Sequence, residues 1–199
     1  MPEYPLKTGF PKFPALETDR LTLREMTYDD LDFYYRHFSI REIVEGSGFP
    51  APKTLEDAKH ELDLYVIDLF REGKGFRWGI ALKRQKQLIG TCGFYNWVKD
   101  AKKATIGYDL NPAHWSKGIM KEALSEMIRF GFEELGLNRI QCTILPGNVR
   151  STKLVLDLGF TKEGVLRENA FFEGKYQDDV VFSLLRHEWS GGRSKDWKS

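Results

Sequence analysis

Asn111-Pro-Ala-His-Trp-Ser-Lys-Gly-Ile-Met-Lys-Glu-Ala123 is the stretch whose reading decides the fold. Just before it, Ala104-Thr-Ile-Gly-Tyr-Asp-Leu110 alternates apolar and polar residues, the mark of a strand. From about Lys117 to Leu135 the pattern turns helical, with Met120, Ala123, Leu124, Met127 and Ile128 on one face. Gly136 suits its C-terminal cap. A strand, a small-residue turn and a helix start make an anion site. The first N–H groups of the helix lack intrahelical partners, and its dipole end is positive. A phosphorylated cofactor is the kind of ligand such a turn takes.

Upstream, Arg20-Leu-Thr-Leu-Arg-Glu25 alternates as a half-buried strand. Thr27-Tyr-Asp-Asp30 opens a helix carrying Leu31, Tyr34, Tyr35 and Phe38, with Thr27 as N-cap. Gly46-Ser-Gly-Phe-Pro-Ala-Pro52 reads as a loop. Thr54 and Asp57 start a second helix, which Gly73-Lys-Gly75 ends. Phe76 to Leu82 and Leu88 to Tyr95 form a hairpin about Lys83-Arg-Gln-Lys86. Downstream of the central helix come a strand from Arg139 to Ile144 and a helix from Pro146-Gly-Asn148 to Gly159-Phe160. Gly164-Val-Leu166, a turn-rich stretch and an apolar strand from Val180 to Leu185 close the chain.

A helical crossover joins parallel neighbours, so the strands flanking the central helix are expected to be parallel. The expected fold is a single α/β (α+β) domain: a twisted, mixed, mostly antiparallel sheet with helices on both faces. It spans residues 16–189, after an extended arm over 1–15 whose prolines forbid a helix. A polar, mobile tail is expected over 190–199.

With 199 residues the chain fills one well-packed domain. A formal charge of +1 offers no polyelectrolyte field for nucleic acid or a membrane surface. No apolar run spans a bilayer, and the N-terminus lacks a secretion signal's apolar core. Cys92 and Cys142 sit in strand-like runs and read as reduced core residues, which points to the cytoplasm. No metal-ligand spacing appears.

Four segments, in order, resemble the GNAT N-acetyltransferases, and within them the branch of ribosomal-protein N-terminal alanine and serine acetyltransferases. They are Thr18-Asp-Arg-Leu-Thr-Leu-Arg24; Gly107-Tyr-Asp-Leu-Asn-Pro112 with Trp115-Ser-Lys-Gly118 and Glu122-Ala123; Asn148-Val-Arg-Ser151 with Leu158-Gly-Phe160; and Gly164 with Gly174-Lys-Tyr-Gln-Asp178. The resemblance covers about Leu16 to Leu185. It implies acetyl-CoA as acyl donor, an amine acceptor (a protein N-terminus or a small amine), direct attack in a ternary complex, and an assembly that can be a homodimer.

The resemblance also implies roles for residues. Asp109 and Leu110 would offer backbone groups to the pantetheine and acetyl end. Backbone N–H groups of Trp115, Ser116, Lys117, Gly118, Ile119 and Met120 would receive the pyrophosphate, with Lys117 either adding charge or solvated. Asn148 would bond the pantetheine arm, or serve as a helix N-cap, or both. Ser151 would stand near the cofactor sulfur as donor to the thiolate.

Three departures stand out. The family loop usually reads Q/R-x-x-G-x-G/A, whereas Trp115 and bulky Met120 hold its ends here. Val155 replaces the tyrosine that many members use to protonate the thiolate. Ala170 stands where some relatives place a catalytic carboxylate, leaving Glu168, two residues earlier, as the candidate base. His114 and His37 are further base candidates, since histidine titrates near neutrality. Tyr34, Tyr95 and Trp97 either line the acceptor groove or belong to the core, and Asp178 reads as structural. The alternative function is a non-catalytic acyl-CoA-binding protein. A nucleotide-dependent oxidoreductase lacks its G-x-G-x-x-G turn after the first strand.

Overall fold

The computed structural model describes residues 9–190. Residues 1–8 of the expected arm and 191–199 of the expected tail lie outside them. The described part of the arm packs on the body: Phe13 meets the rings of Phe70, Phe76 and Trp78, and Trp78 Nε1 donates to the Pro14 carbonyl.

A short strand β1 (Leu16–Glu17) precedes β2 (Leu21–Glu25), the alternating run of the sequence. Thr27 then caps a turn of 3-10 helix in a full capping box with Asp30, leading into α1 (Leu31–Phe38). A second helix, α2 (Arg41–Ser47), not anticipated from the sequence, runs into the first two residues of the expected loop. Gly48 ends it in a left-handed conformation, and the expected loop follows from there. The Thr54–Asp57 capping box opens α3 (Leu55–Leu62). A π turn over Asp63–Ile67 joins it to α4 (Asp68–Arg71).

Next come β3 (Phe76–Leu82), β4 (Leu88–Val98), β5 (Lys103–Leu110) and the central helix α5 (Ile119–Glu133). β6 (Arg139–Ile144) and α6 (Val149–Asp157) follow. The turn-rich stretch is in fact most of a long hairpin, β7 (Thr161–Phe172) and β8 (Lys175–Leu185). Its outer half is exposed on both faces, so no apolar alternation marks it.

The eight strands form one sheet in the order β1-β2-β3-β4-β5-β6-β8-β7. Every neighbouring pair is antiparallel except β5 and β6, which the α5 crossover makes parallel. The period of two divides the sheet into two apolar faces. Phe76, Trp78, Ile80, Cys92, Phe94, Ala104 and Ile106 pack with α5 and Val155 of α6. Met26, Ala81 and Leu88 pack with Tyr34, Ala58, Leu62 and Val66 from the earlier helices. Helices therefore cover both faces. No helix among the described residues is long and apolar enough to cross a membrane.

Candidate active site

The site starts where two parallel strands part. β5 and β6 pair only at Lys103–Arg139, Ala104–Ile140 and Thr105–Gln141. Beyond Thr105 the flank of β5 toward β6 is open. Which residues face it follows from two bonds. The Lys102 carbonyl accepts from Asn138 N–H at 2.6 Å, so even-numbered residues address β6. Asn111 N–H donates to the Ile89 carbonyl at 2.8 Å, so odd-numbered residues address β4. By alternation the main chains of Tyr108 and Leu110 face the opening, and that of Asp109 does not. The Leu110 carbonyl is taken by Trp115 Nε1 at 2.7 Å, which leaves its N–H for a ligand.

The loop after β5 closes one end of this opening. Asn111 caps a 3-10 turn over Pro112–His114, whose Pro112 carbonyl takes the Trp115 N–H. Trp115 thus contributes its ring rather than its amide. Ser116 and Gly118 are both left-handed, at φ 59° and 71°. Alternating left-handed residues turn successive N–H groups to one side, forming an anion nest. The N–H groups of Ser116, Lys117, Gly118, Ile119 and Met120 find no acceptor among the described residues. Ile119 and Met120 bury their side chains in the core, at 4% and 8% exposure. The bulk of Met120 is therefore absorbed away from the nest. The Lys117 ammonium turns back to the Ala113 carbonyl at 2.8 Å.

A clamp from the turn between β1 and β2 holds the loop. Arg20 reaches the Lys117 carbonyl at 3.0 Å and pairs with Glu122 at 2.6 Å. Glu122 also accepts from Thr18 and from Arg20 N–H. Burial pushes the Glu122 carboxyl upward, but these donors win and hold it below its ordinary value.

The start of α6 forms the other wall. Asn148 Oδ1 caps the Ser151 N–H at 3.1 Å, and Asn148 Nδ2 donates to the Gly46 carbonyl at the end of α2, at 3.2 Å. Ser151 Oγ is hydrogen-bonded to Tyr108 Oη. The Arg150 guanidinium lies 3.5 Å from the centre of the Trp115 ring, bridging α6 to the nest. Neither Tyr108 nor Arg150 stood out in the sequence. Only the register of β5 against α6 brings them in.

Asp109 does its work on the opposite face. Its carboxylate meets His37 Nε2, Arg77, the Thr91 hydroxyl (each at 2.6 Å) and the Thr91 N–H at 3.0 Å. Burial alone would raise its pKa. His37, Arg77 and Thr91 outweigh that and hold it below the usual carboxylate range. His37 is 2% exposed, and its Nδ1 has no hydrogen-bond partner. It is a buried partner of Asp109 rather than an accessible base. Tyr34 is likewise core, at 3% exposure. Tyr95 lays its ring against Gly107, on the same face as Arg77 and Asp109. Trp97 packs on Phe76 under the Lys99 ammonium. Burial keeps the Cys92 thiol protonated and pushes Cys142 up to about 12, so neither is a nucleophile. His114 is held below its ordinary value by burial and by Lys117.

Glu168 lies on the part of the β7–β8 hairpin that runs past the end of β6. A bulge between Leu166 and Ala170 leaves it left-handed (φ 52°), with its N–H on Asp178 Oδ1 at 2.9 Å. Asp178 is thus a structural acceptor. Among the described residues no contact joins Glu168 to Ser151. No group of three or more described His, Cys, Asp or Glu side chains is placed to hold a metal ion.

Residues 20–161 match the family described as "Acetyltransferase (GNAT) domain". YoaA, an uncharacterized N-acetyltransferase of Bacillus subtilis, is 37% identical over 87% of this chain and 98% of its own. The ribosomal protein uS5-alanine N-acetyltransferase of Escherichia coli is 32% identical over 94% of this chain and 98% of its own. Two solved structures share the fold. The ribosomal-protein-S5-alanine acetyltransferase of Vibrio fischeri has TM-score 0.75 at 24% identity, covering 88% of this chain and 98% of that one. The spermidine N-acetyltransferase of Vibrio cholerae, solved with CoA and spermine, has TM-score 0.76 at 21% identity, covering 86% and 98%. The chain is a member of the GNAT family and an acetyl-CoA-dependent N-acetyltransferase.

Proposed function

We propose that this enzyme acetylates the α-amine of a protein N-terminus of the ribosomal-protein kind, by direct attack on acetyl-CoA in a ternary complex. The observation that carries the reading is the nest from Ser116 to Met120 beside the open flank of β5. Five unspent N–H groups at a helix start suit a pyrophosphate, and the parted strands leave room for an extended arm. Arg150 adds a cation on the far wall, and Asn148 bonds the arm from the start of α6.

Acetyl-CoA supplies the activated acyl group. The Leu110 N–H donates to the carbonyl oxygen where negative charge develops. The amine nitrogen bonds to the carbonyl carbon, and the carbon–sulfur bond breaks with its electron pair on sulfur. Ser151 Oγ–H donates a hydrogen bond to that sulfur. Glu168, on the overhanging hairpin, takes the amine's proton. The acceptor class rests on likeness to the uS5-alanine enzyme.

Thiol release with acetyl-CoA tests it, against peptides beginning with alanine or serine and against spermidine. Turnover with the peptides and a Ser151→Ala kcat lowered about tenfold are expected. Turnover with spermidine alone would overturn the acceptor, and full rate in Ser151→Ala would remove the serine from the mechanism.

A further inference from the structure

The α6 position where many GNAT enzymes carry a tyrosine holds Val155, fully buried in the core. α6 has no phenol to put there and offers the Ser151 hydroxyl, while β5 supplies a phenol beside it. Tyr108 directs its side chain to the face that α5 and α6 cover, packs against the core, and meets Ser151 Oγ. We propose that Tyr108 is a positioning residue for acyl transfer, its hydroxyl donating to Ser151 Oγ so that the serine proton points at the departing sulfur. This rests on the reading of Ser151 as the sulfur's hydrogen-bond donor.

The direction of the bond follows from chemistry. Two hydroxyls can each donate to the other, and only one arrangement leaves the serine proton for a ligand. Burial pushes the Tyr108 phenol above its ordinary value, against the opposing pull of Ser151. The tyrosine therefore stays protonated at neutral pH and never becomes a phenolate that would claim the serine proton. The Ser151 main chain is fixed independently, by Asn148 Oδ1 on its N–H. Backbone from one side and phenol from the other set where Oγ sits. Tyr108 also precedes Leu110 by two residues on the same strand, so the donor to the carbonyl and the aim of the donor to sulfur share one rigid element.

The test is Tyr108→Phe, which removes one oxygen. Losing a single neutral hydrogen bond predicts a kcat lower by about three- to tenfold, with the KM and Kd for acetyl-CoA unchanged. Tyr108→Phe added to Ser151→Ala should cost nothing more. With the selenoester analogue of acetyl-CoA, whose selenolate departs with less help, the defect should shrink. Ser151→Thr keeps a hydroxyl and should hold most of the rate only while Tyr108 is present.

A full-rate Tyr108→Phe, a defect that multiplies with Ser151→Ala, or one undiminished with the selenoester would each overturn the proposal. A full-rate Ser151→Ala would sink the serine reading and this one together. A slow Ser151→Ala beside a fast Tyr108→Phe sinks only this one.

Discussion

Asn148 makes two bonds with one amide, and they can be separated. Its Oδ1 caps Ser151, while its Nδ2 reaches Gly46. Asn148→Asp keeps the cap and loses the donor, whereas Asn148→Ala loses both. Losing the cap should lower the unfolding free energy by about 1 kcal/mol in the alanine variant only, read by urea denaturation. Both variants should raise the KM for acetyl-CoA if the amide also bonds its arm. Asp109 carries a pH signature. Its folded pKa is depressed, so its stabilisation is complete above the unfolded value of about 3.9 and fades as pH falls through the lower folded value. Asp109→Asn should therefore lower stability at neutral pH and flatten the loss of stability below about pH 4. An acid limb of unchanged slope in denaturant titrations would contradict this.

Among the elements, the central helix owes its seat to one small residue. A Cβ at Gly131 would meet Phe94 Cζ at 2.7 Å and Ile140 Cδ1 at 3.2 Å. Replacing glycine with a β-branched residue gains less than about 1 kcal/mol of helix propensity, but overpacking a rigid core costs about 1–3 kcal/mol. Gly131→Val, which adds three carbons, should fall on the destabilising side by about 2 kcal/mol in calorimetry. Elements held by apolar periodicity were readable in the chain: β3 and β6 have the bounds their alternation predicts, and α5 begins within two residues of its expected start. The helix α2 and the β7–β8 hairpin were not. The first has a single buried residue, Ile43, and the second is mostly solvated. The turn before α5 was legible from its place between strand and helix and from Gly118, whereas nothing in the sequence announced a left-handed Ser116. The Asp109 cluster and the Tyr108–Ser151 pair were not, because they join residues 18 to 72 positions apart.

For the whole molecule, binding and folding are linked. Acetyl-CoA at about 100 times its Kd should stabilise the folded state by about 2.7 kcal/mol. For a domain of this size each kcal/mol moves the midpoint by about 2–4 °C, so a rise of about 5–10 °C is expected in a thermal scan. Gly118→Ala, strained in a left-handed position at the nest, should show a smaller rise at the same concentration. An equal rise in both would place the cofactor elsewhere.

The register slips in β7 have a bearing on how the protein behaves in crowded solution. β7 is the outermost strand at one end of the sheet, and a flat outer strand is a template for other chains. Its two slips, between Lys162 and Gly164 and between Leu166 and Ala170, interrupt the row of free amides and carbonyls. Lys162, Arg167 and Glu168 add charged residues to the same strand. At the opposite end β1 is only two residues long. Both margins of the sheet are thus poor templates for strand addition, which guards against edge-to-edge aggregation.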